Sequence, residues 1–322
     1  MKRPGASAAE LVEALRARSR SPHAPEPPRA HPVVTWVARR AARSATGRRT
    51  PHLCGGVDVE KTRYEYAEGP AFVEALAEWL PSPSTGLAVL DVGCGWGGKA
   101  VYVAETLRPA RVEGFDLPGV FDPQVPLRFA AERGVAGCGF RTGYAEAIPY
   151  ADAEFDLLFC EDVLEHVESP RKVLAECRRV LRPGGLLVAL FPSFRMLDAH
   201  HLDRAVTWPG LHYLLPMKTW AAGLNAYLLE HPEAAFEPFP EAVATPFHRC
   251  VTRDLNGMGL RQFAAVADES GLERRHLGLV PRPTPDNGRS RFLKSAYRAL
   301  CRVPGLDEVL AQRVLYVGRR PS

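Results

Sequence analysis

Short apolar runs separated by amphipathic stretches dominate the middle of this 322-residue chain. The runs fall at Ala88 to Val92, Arg111 to Phe115, Gly139 to Gly143, Phe155 to Cys160 and Gly185 to Phe191, each of strand length, with helical segments between them. Strands that alternate with helices predict a parallel sheet covered by helices on both faces. Upstream, Phe72, Val73, Leu76, Trp79 and Leu80 form a helical stripe within Tyr64 to Leu80, stopped by Pro81 and the turn residues Pro83 to Gly86. Downstream, a helix is expected over about Leu260 to Ser270, a strand near Leu272 to Leu279, a helix over Phe292 to Cys301 and a closing strand over Arg313 to Gly318.

Two stretches break this alternation. Residues 1–50 are rich in Arg, Pro, Ala and Ser, with one short helical stretch around Ala8 to Arg18, and read as a flexible, loosely attached arm. Between Pro192 and about Asn256 aromatics, histidines and prolines replace the strand-helix pattern. So long an interruption in a compact domain is usually functional, and a lid over the site is expected. The chain therefore divides into the arm, a core over 51–192, an inserted lid over 193–256 and a C-terminal completion of the sheet over 257–322.

Charge follows the same division. The formal total is +4, yet residues 1–50 carry 11 Lys+Arg against 3 Glu and residues 281–322 carry 9 against 3, so the body between them is acidic at −10. A basic total located at the ends is weak support for a nucleic-acid substrate. No apolar run reaches the roughly 18 residues of a membrane span, and Met1-Lys2-Arg3-Pro4 opens no signal peptide, so a cytoplasmic protein is expected. Seven cysteines without a Cys-x-x-Cys pair argue against a disulfide framework or a zinc knuckle.

The most informative segment is Val89-Leu90-Asp91-Val92-Gly93-Cys94-Gly95-Trp96-Gly97-Gly98, which leaves a buried strand and enters a helix. Gly93, Gly95 and Gly98 satisfy Gly-x-Gly-x-x-Gly, which lets a backbone and a helix N-terminus approach a ligand. Asp91 narrows the choice. A carboxylate beside a pyrophosphate is repelled, whereas one facing an ammonium or sulfonium is attracted. Asp116, ending the next strand, is placed to accept the hydroxyls of a ribose. Together they describe a nucleoside with a positive end.

With these residues in view, the chain resembles the class I S-adenosylmethionine-dependent methyltransferases of the ubiquinone-biosynthesis type over about Tyr64 to Pro192. Leu90 to Gly97 matches the glycine-rich motif and Phe115-Asp116-Leu117 the ribose-binding acid. Phe155 to Cys160 matches the fourth strand, Asp162-Val163-Leu164-Glu165-His166-Val167 the segment after it, and Val180-Leu181-Arg182-Pro183-Gly184-Gly185 the turn into the fifth. The resemblance implies a Rossmann-like, seven-stranded, mostly parallel sheet with helices on both faces and a helical lid inserted after strand five. It also implies S-adenosyl-L-methionine as cosubstrate, held by Asp91, Gly93, Cys94, Gly95 and Gly97 of the first motif, Asp116 and Leu117 of the second, and Ala145, Glu146 and Glu161 beyond them. One departure stands out: relatives show Gly-Asp-Ala-Glu where this chain has Gly143-Tyr144-Ala145-Glu146, so the usual acceptor for the adenine amine is replaced by Tyr144 or compensated by Glu146.

A sulfonium methyl is already activated, so transfer to oxygen requires alignment and a base for the hydroxyl proton. Histidine suits that task because its pKa lies near neutrality. The candidates are His201, in Asp198-Ala199-His200-His201-Leu202, with His200 and His212 as alternates in the insertion, and His166 after the fourth strand. Each could instead be a hydrogen-bonded positioning residue. Asp162, Glu165 and His166 also resemble half of a metal site of some RNA 2′-O-methyltransferases, but no second half is evident and no metal is expected. Aromatics of the insertion (Phe194, Trp208, Tyr213, Trp220, Tyr227, Phe236, Phe239) could line an acceptor pocket or form lid core. The expected activity is O-methylation of a small, natural-product-like acceptor. Methylation at nitrogen or carbon, RNA methylation guided by the basic arm, and a non-catalytic S-adenosylmethionine-binding subunit remain open alternatives.

Overall fold

A computed structural model describes residues 31–44, 59–80, 84–119, 121–200, 206, 208–230, 255–282, 297 and 299–322. The helix expected around 8–18, most of that expected over 292–301, Phe236, Phe239 and His201 lie outside them. The chain forms two compact units, one of residues 58–196 with 256–322 and one of residues 1–57 with 197–255.

The larger unit is built on seven strands: β1 (Ala88–Val92), β2 (Arg111–Asp116), β3 (Cys138–Thr142), β4 (Phe155–Glu161), β5 (Leu181–Phe191), β6 (Glu273–Pro281) and β7 (Ala311–Arg319). Their order across the sheet is β3-β2-β1-β4-β5-β7-β6. The first five are parallel, and β7 runs antiparallel to both β5 and β6. This is the expected Rossmann-like sheet. β1 is apolar apart from Asp91 and buried throughout, because a central parallel strand has helices on both faces. β5 begins before its Pro183-Gly184-Gly185 turn, so Phe155 pairs with Leu181 while Leu157 pairs with Leu186; the turn is absorbed as an irregularity inside the strand.

Helix α2 (Val59–Leu76) precedes the sheet and α3 (Gly98–Leu107) follows β1. Phe72, Leu76, Ala100, Val103 and Ala104 from these helices meet Val89, Val112, Leu157, Phe159, Val188, Leu190 and Val317 in one core cluster. The intervening strand residues Leu90, Leu158, Cys160 and Leu187 are equally buried, as the two-residue period of a doubly covered sheet requires. Helix α4 (Gln124–Glu132) connects β2 to β3, and α5 (Pro170–Val180) connects β4 to β5. α5 starts at Ser169, whose hydroxyl accepts from Lys172 N, with Pro170 in the first turn. The later helices of this unit are α7 (Leu260–Asp268) and the short α8 (Leu306–Leu310). Phe263 of α7 packs on Phe191 and Tyr316, at 4.6 and 5.1 Å between ring centroids.

In the smaller unit, α1 (Pro32–Ser44) lies within the stretch expected to be an arm, and α6 (Met217–Glu230) lies within the insertion. Val34, Val37 and Ala38 at helical spacing join Trp220, Leu224 and Tyr227, again at helical spacing, with Val206 and Leu211. Trp220 donates its indole N–H to Leu211 O at 2.8 Å, so the largest side chain of this cluster is buried with its polar atom satisfied.

Candidate cofactor site and its surroundings

The site is assembled at the carboxyl ends of β1, β2 and β4, where ligands bind in open α/β sheets. β1 ends in a turn that is pinned to its neighbours: Cys94 N donates to Phe115 O at 2.9 Å and Gly97 N to Cys94 O at 2.8 Å. Gly95 N donates to Asp116 Oδ2 at 2.8 Å, while Leu117 N donates to Asp116 Oδ1 at 2.6 Å. Asp116 therefore locks the strand-end acid to the glycine turn and keeps its further lone pairs for a ligand. Gly98 opens α3 under α2, where a Cβ would collide with Thr62 O and Tyr66 N. Its glycine is required by helix-helix contact.

Several carboxylates gather here, with Lys99 paired to two of them, Glu161 and Glu68. Asp91 is 4% exposed, and no hydrogen bond to its carboxylate is found among the described residues. Burial, then the neighbouring Glu65 carboxylate, drive its pKa well above the ordinary range. Glu65 of α2 accepts from Trp96 N at 2.9 and 3.0 Å and from Gly98 N at 3.0 Å. Burial nevertheless pushes it up to about 7 against those backbone donors. Asp116 and Glu161 are raised chiefly by burial as well, with the Leu117 and Gly95 amides opposing in the first and Lys99 in the second. Lys99 sits 2.6 Å from Glu161 and 3.5 Å from Glu68. Burial works against its charge, but the Glu161, Glu68 and Asp162 carboxylates together outweigh burial and raise its pKa. The carboxylates gathered here outnumber the cations among the described residues, an arrangement that favours a positively charged ligand over an anionic one.

The other expected cofactor residues divide. Gly97 has a left-handed backbone and backs onto Pro126 and Phe140, so it shapes the turn from behind. Cys94 and Ala145 are buried, and Leu117 is 45% exposed. Tyr144, 56% exposed, pairs through its backbone with Ala147. Glu146 Oε1 accepts from Glu168 N at 2.9 Å and Ser169 N at 3.4 Å, which ties it to the segment leading into α5.

That segment, 162–167, carries His166. Asn256 staples it, donating from Nδ2 to Leu164 O at 2.7 Å and Val167 O at 3.1 Å and from its backbone N to Glu165 O at 2.8 Å. Asp162, with a left-handed backbone, is paired with Arg313 at 3.0 Å. Glu165 is buried, with its pKa raised well above the ordinary value by burial and by Asp162, and lies 3.7 Å from His166 Nε2. Among the described residues no three His, Cys, Asp or Glu side chains converge as a metal site.

His200 and His212 belong to the smaller unit. His200 is buried with Nε2 3.0 Å from Trp208 O, and its ring lies 5.7 Å from that of His212, which in turn lies 4.2 Å from Tyr213. Glu65, Lys99 and Asn256 are site or supporting residues that sequence reading missed. Only their tertiary placement brings them to the turn and to the His166 segment.

The fold and the acid-flanked glycine turn define a Rossmann-like domain for a nucleoside with a positive end. Residues 90–189 match the family described as methyltransferase domain. The chain is 39% identical over 101 residues to a phthiotriol/phenolphthiotriol dimycocerosates methyltransferase of Mycobacterium tuberculosis, covering 31% of this chain and 36% of that protein. It is 38% identical over 109 residues to a ubiquinone biosynthesis O-methyltransferase of Roseobacter denitrificans, covering 34% and 42%. The similarity thus spans less than half the length of these relatives. A solved complex of a Haloferax volcanii methyltransferase activator with a methyltransferase shares the fold, with a TM-score of 0.51 and 13% identity over 82% of this chain and 95% of that one. No helix among the described residues is long and apolar enough to cross a membrane.

Proposed function

We propose that this protein is an S-adenosylmethionine-dependent methyltransferase that methylates a hydroxyl group of a small-molecule acceptor. The observation that carries the reading is the glycine turn bracketed by Asp91 and Asp116 among buried carboxylates that outnumber the cations near them among the described residues. Asp116 accepts a ribose hydroxyl, and Asp91 favours the charged end of the cosubstrate over a neutral or anionic one. When bound, S-adenosylmethionine supplies a methyl group on a positively charged sulfur. Oxygen as acceptor atom is supported by the name of the ubiquinone-biosynthesis relative, and a small or lipid-like acceptor by the names of both relatives.

A histidine takes the acceptor's proton as its oxygen gains the methyl group. His201 of the insertion is the first candidate, with His212 and His166 as alternates; His166 has the support of lying 3.7 Å from the buried Glu165. Incubation with methyl-labelled S-adenosylmethionine and a panel of phenols, sugars and polyketide-like alcohols tests the reaction. Label on an acceptor oxygen is the expected result. Label transferred only to nitrogen, carbon or RNA would overturn the oxygen assignment.

A further inference from the structure

The spacing Gly93-x-Gly95-x-x-Gly98 between a strand and a helix is shared with loops that bind pyrophosphate. Such loops work by offering backbone N–H groups and the positive end of a helix to phosphate oxygens. In this chain two of those donors are already taken. The carboxylate of Glu65 accepts from Trp96 N and Gly98 N at 2.9–3.0 Å, at the first turn of α3. It is delivered by α2, which is fixed to the same turn by Thr62 Oγ1 donating to Trp96 O at 2.9 Å. A Cβ on Gly95 would stand 2.5 Å from Glu65 Oε1, so the turn has no room for a side chain where this carboxylate sits.

A second, independent feature points the same way. Asp91 is almost completely buried beside the turn, with no side-chain hydrogen bond among the described residues, and offers an approaching phosphate no compensating positive charge.

We propose that Glu65 is a specificity-determining residue: it fills the anion position of the glycine turn from within the chain, so that the turn rejects nucleoside diphosphates and dinucleotides and admits a nucleoside with a cationic end. This rests on the cofactor reading above and adds the residue that sets the charge of the ligand. Occupied amides remove the attraction for phosphate, and the ionised carboxylate adds repulsion across a few ångströms. Burial of Glu65 strengthens both effects by limiting the water that would screen them.

Calorimetric titration of the full chain with S-adenosylhomocysteine, ADP and NAD at pH 8, for wild type, Glu65→Gln and Glu65→Ala, tests this. The wild type is expected to bind S-adenosylhomocysteine and to show no heat with millimolar ADP or NAD. Both variants should shift the preference toward ADP, relative to S-adenosylhomocysteine, by about tenfold or more. Glu65→Gln keeps an acceptor oxygen for Trp96 N and nearly the same volume, so it reads the charge even if Glu65→Ala does not fold. An unchanged preference in a folded variant, ADP binding by the wild type, or loss of cooperative unfolding in both variants would each overturn the proposal. A wild type that binds neither S-adenosylhomocysteine nor S-adenosylmethionine refutes the cofactor reading instead; gain of ADP binding in the variants would still support the role of Glu65.

Discussion

Removing the charge of Glu65 should change how stability depends on pH, and the size of the change follows from its surroundings. Burial lifts its pKa from an ordinary 4.5 to about 7, against the Trp96 and Gly98 amides and Lys99 that favour the ionised form. A group whose folded pKa exceeds its unfolded one contributes stability that is complete below the unfolded value and is lost as pH rises through the folded one. The wild type should therefore lose stability between about pH 4.5 and pH 7. Each pH unit between the two values is worth about 1.4 kcal/mol, so the contribution of Glu65 reaches about 3 kcal/mol. Asp91, Asp116 and Glu161 are also raised by burial and slope in the same direction, so the comparison that isolates Glu65 is wild type against Glu65→Gln. Urea denaturation at pH 5 and pH 8 measures both proteins. Wild type should lose more stability than the variant between these values, by up to about 3 kcal/mol. Equal losses in the two proteins would refute the burial argument.

Other perturbations test the supporting structure. Gly98→Ala places a methyl group against the backbone of α2 and should cost about 1–3 kcal/mol or more, read as a lowered urea midpoint. Asn256→Ala leaves Leu164 O and Val167 O without their side-chain donor and should destabilise by about 2 kcal/mol; full stability would show that the 162–167 segment holds itself. His201→Ala should lower kcat on the identified acceptor by about a hundredfold or more with cofactor affinity retained. If His166→Ala gives that loss and His201→Ala does not, the base lies after β4.

How much of this was legible beforehand depended on the range of the interactions. The five parallel strands were readable because each is a short apolar run, and the glycine turn because its meaning lies within a few residues of one strand end. Gly143 was expected inside the third strand, but β3 ends at Thr142, and Gly143 N turns back to Asp116 O. Helix α1 went unread because prolines and arginines surround it, although Val34, Val37 and Ala38 carry the helical period and Pro32 suits a first turn. Helical structure in the insertion is implied by the resemblance, but the bounds of helix α6 are hidden among aromatics, where Trp220, Leu224 and Tyr227 hold the period. Glu65 and Asn256 could not be found by spacing. Glu65 lies 31 residues from Trp96 and Asn256 lies 92 from Leu164, and no local pattern distinguishes a surface carboxylate or amide from one that the fold turns inward.

The central claim is that Asp91 and its companions hold a nucleoside with a positive end. Calorimetric titration of wild type and Asp91→Asn with S-adenosylmethionine and its neutral-sulfur product S-adenosylhomocysteine tests it directly. The wild type should bind both, and the substitution should weaken S-adenosylmethionine by about tenfold or more, with a smaller loss for the product. Absence of binding in the wild type, or unchanged affinity for S-adenosylmethionine in Asp91→Asn, would contradict the account.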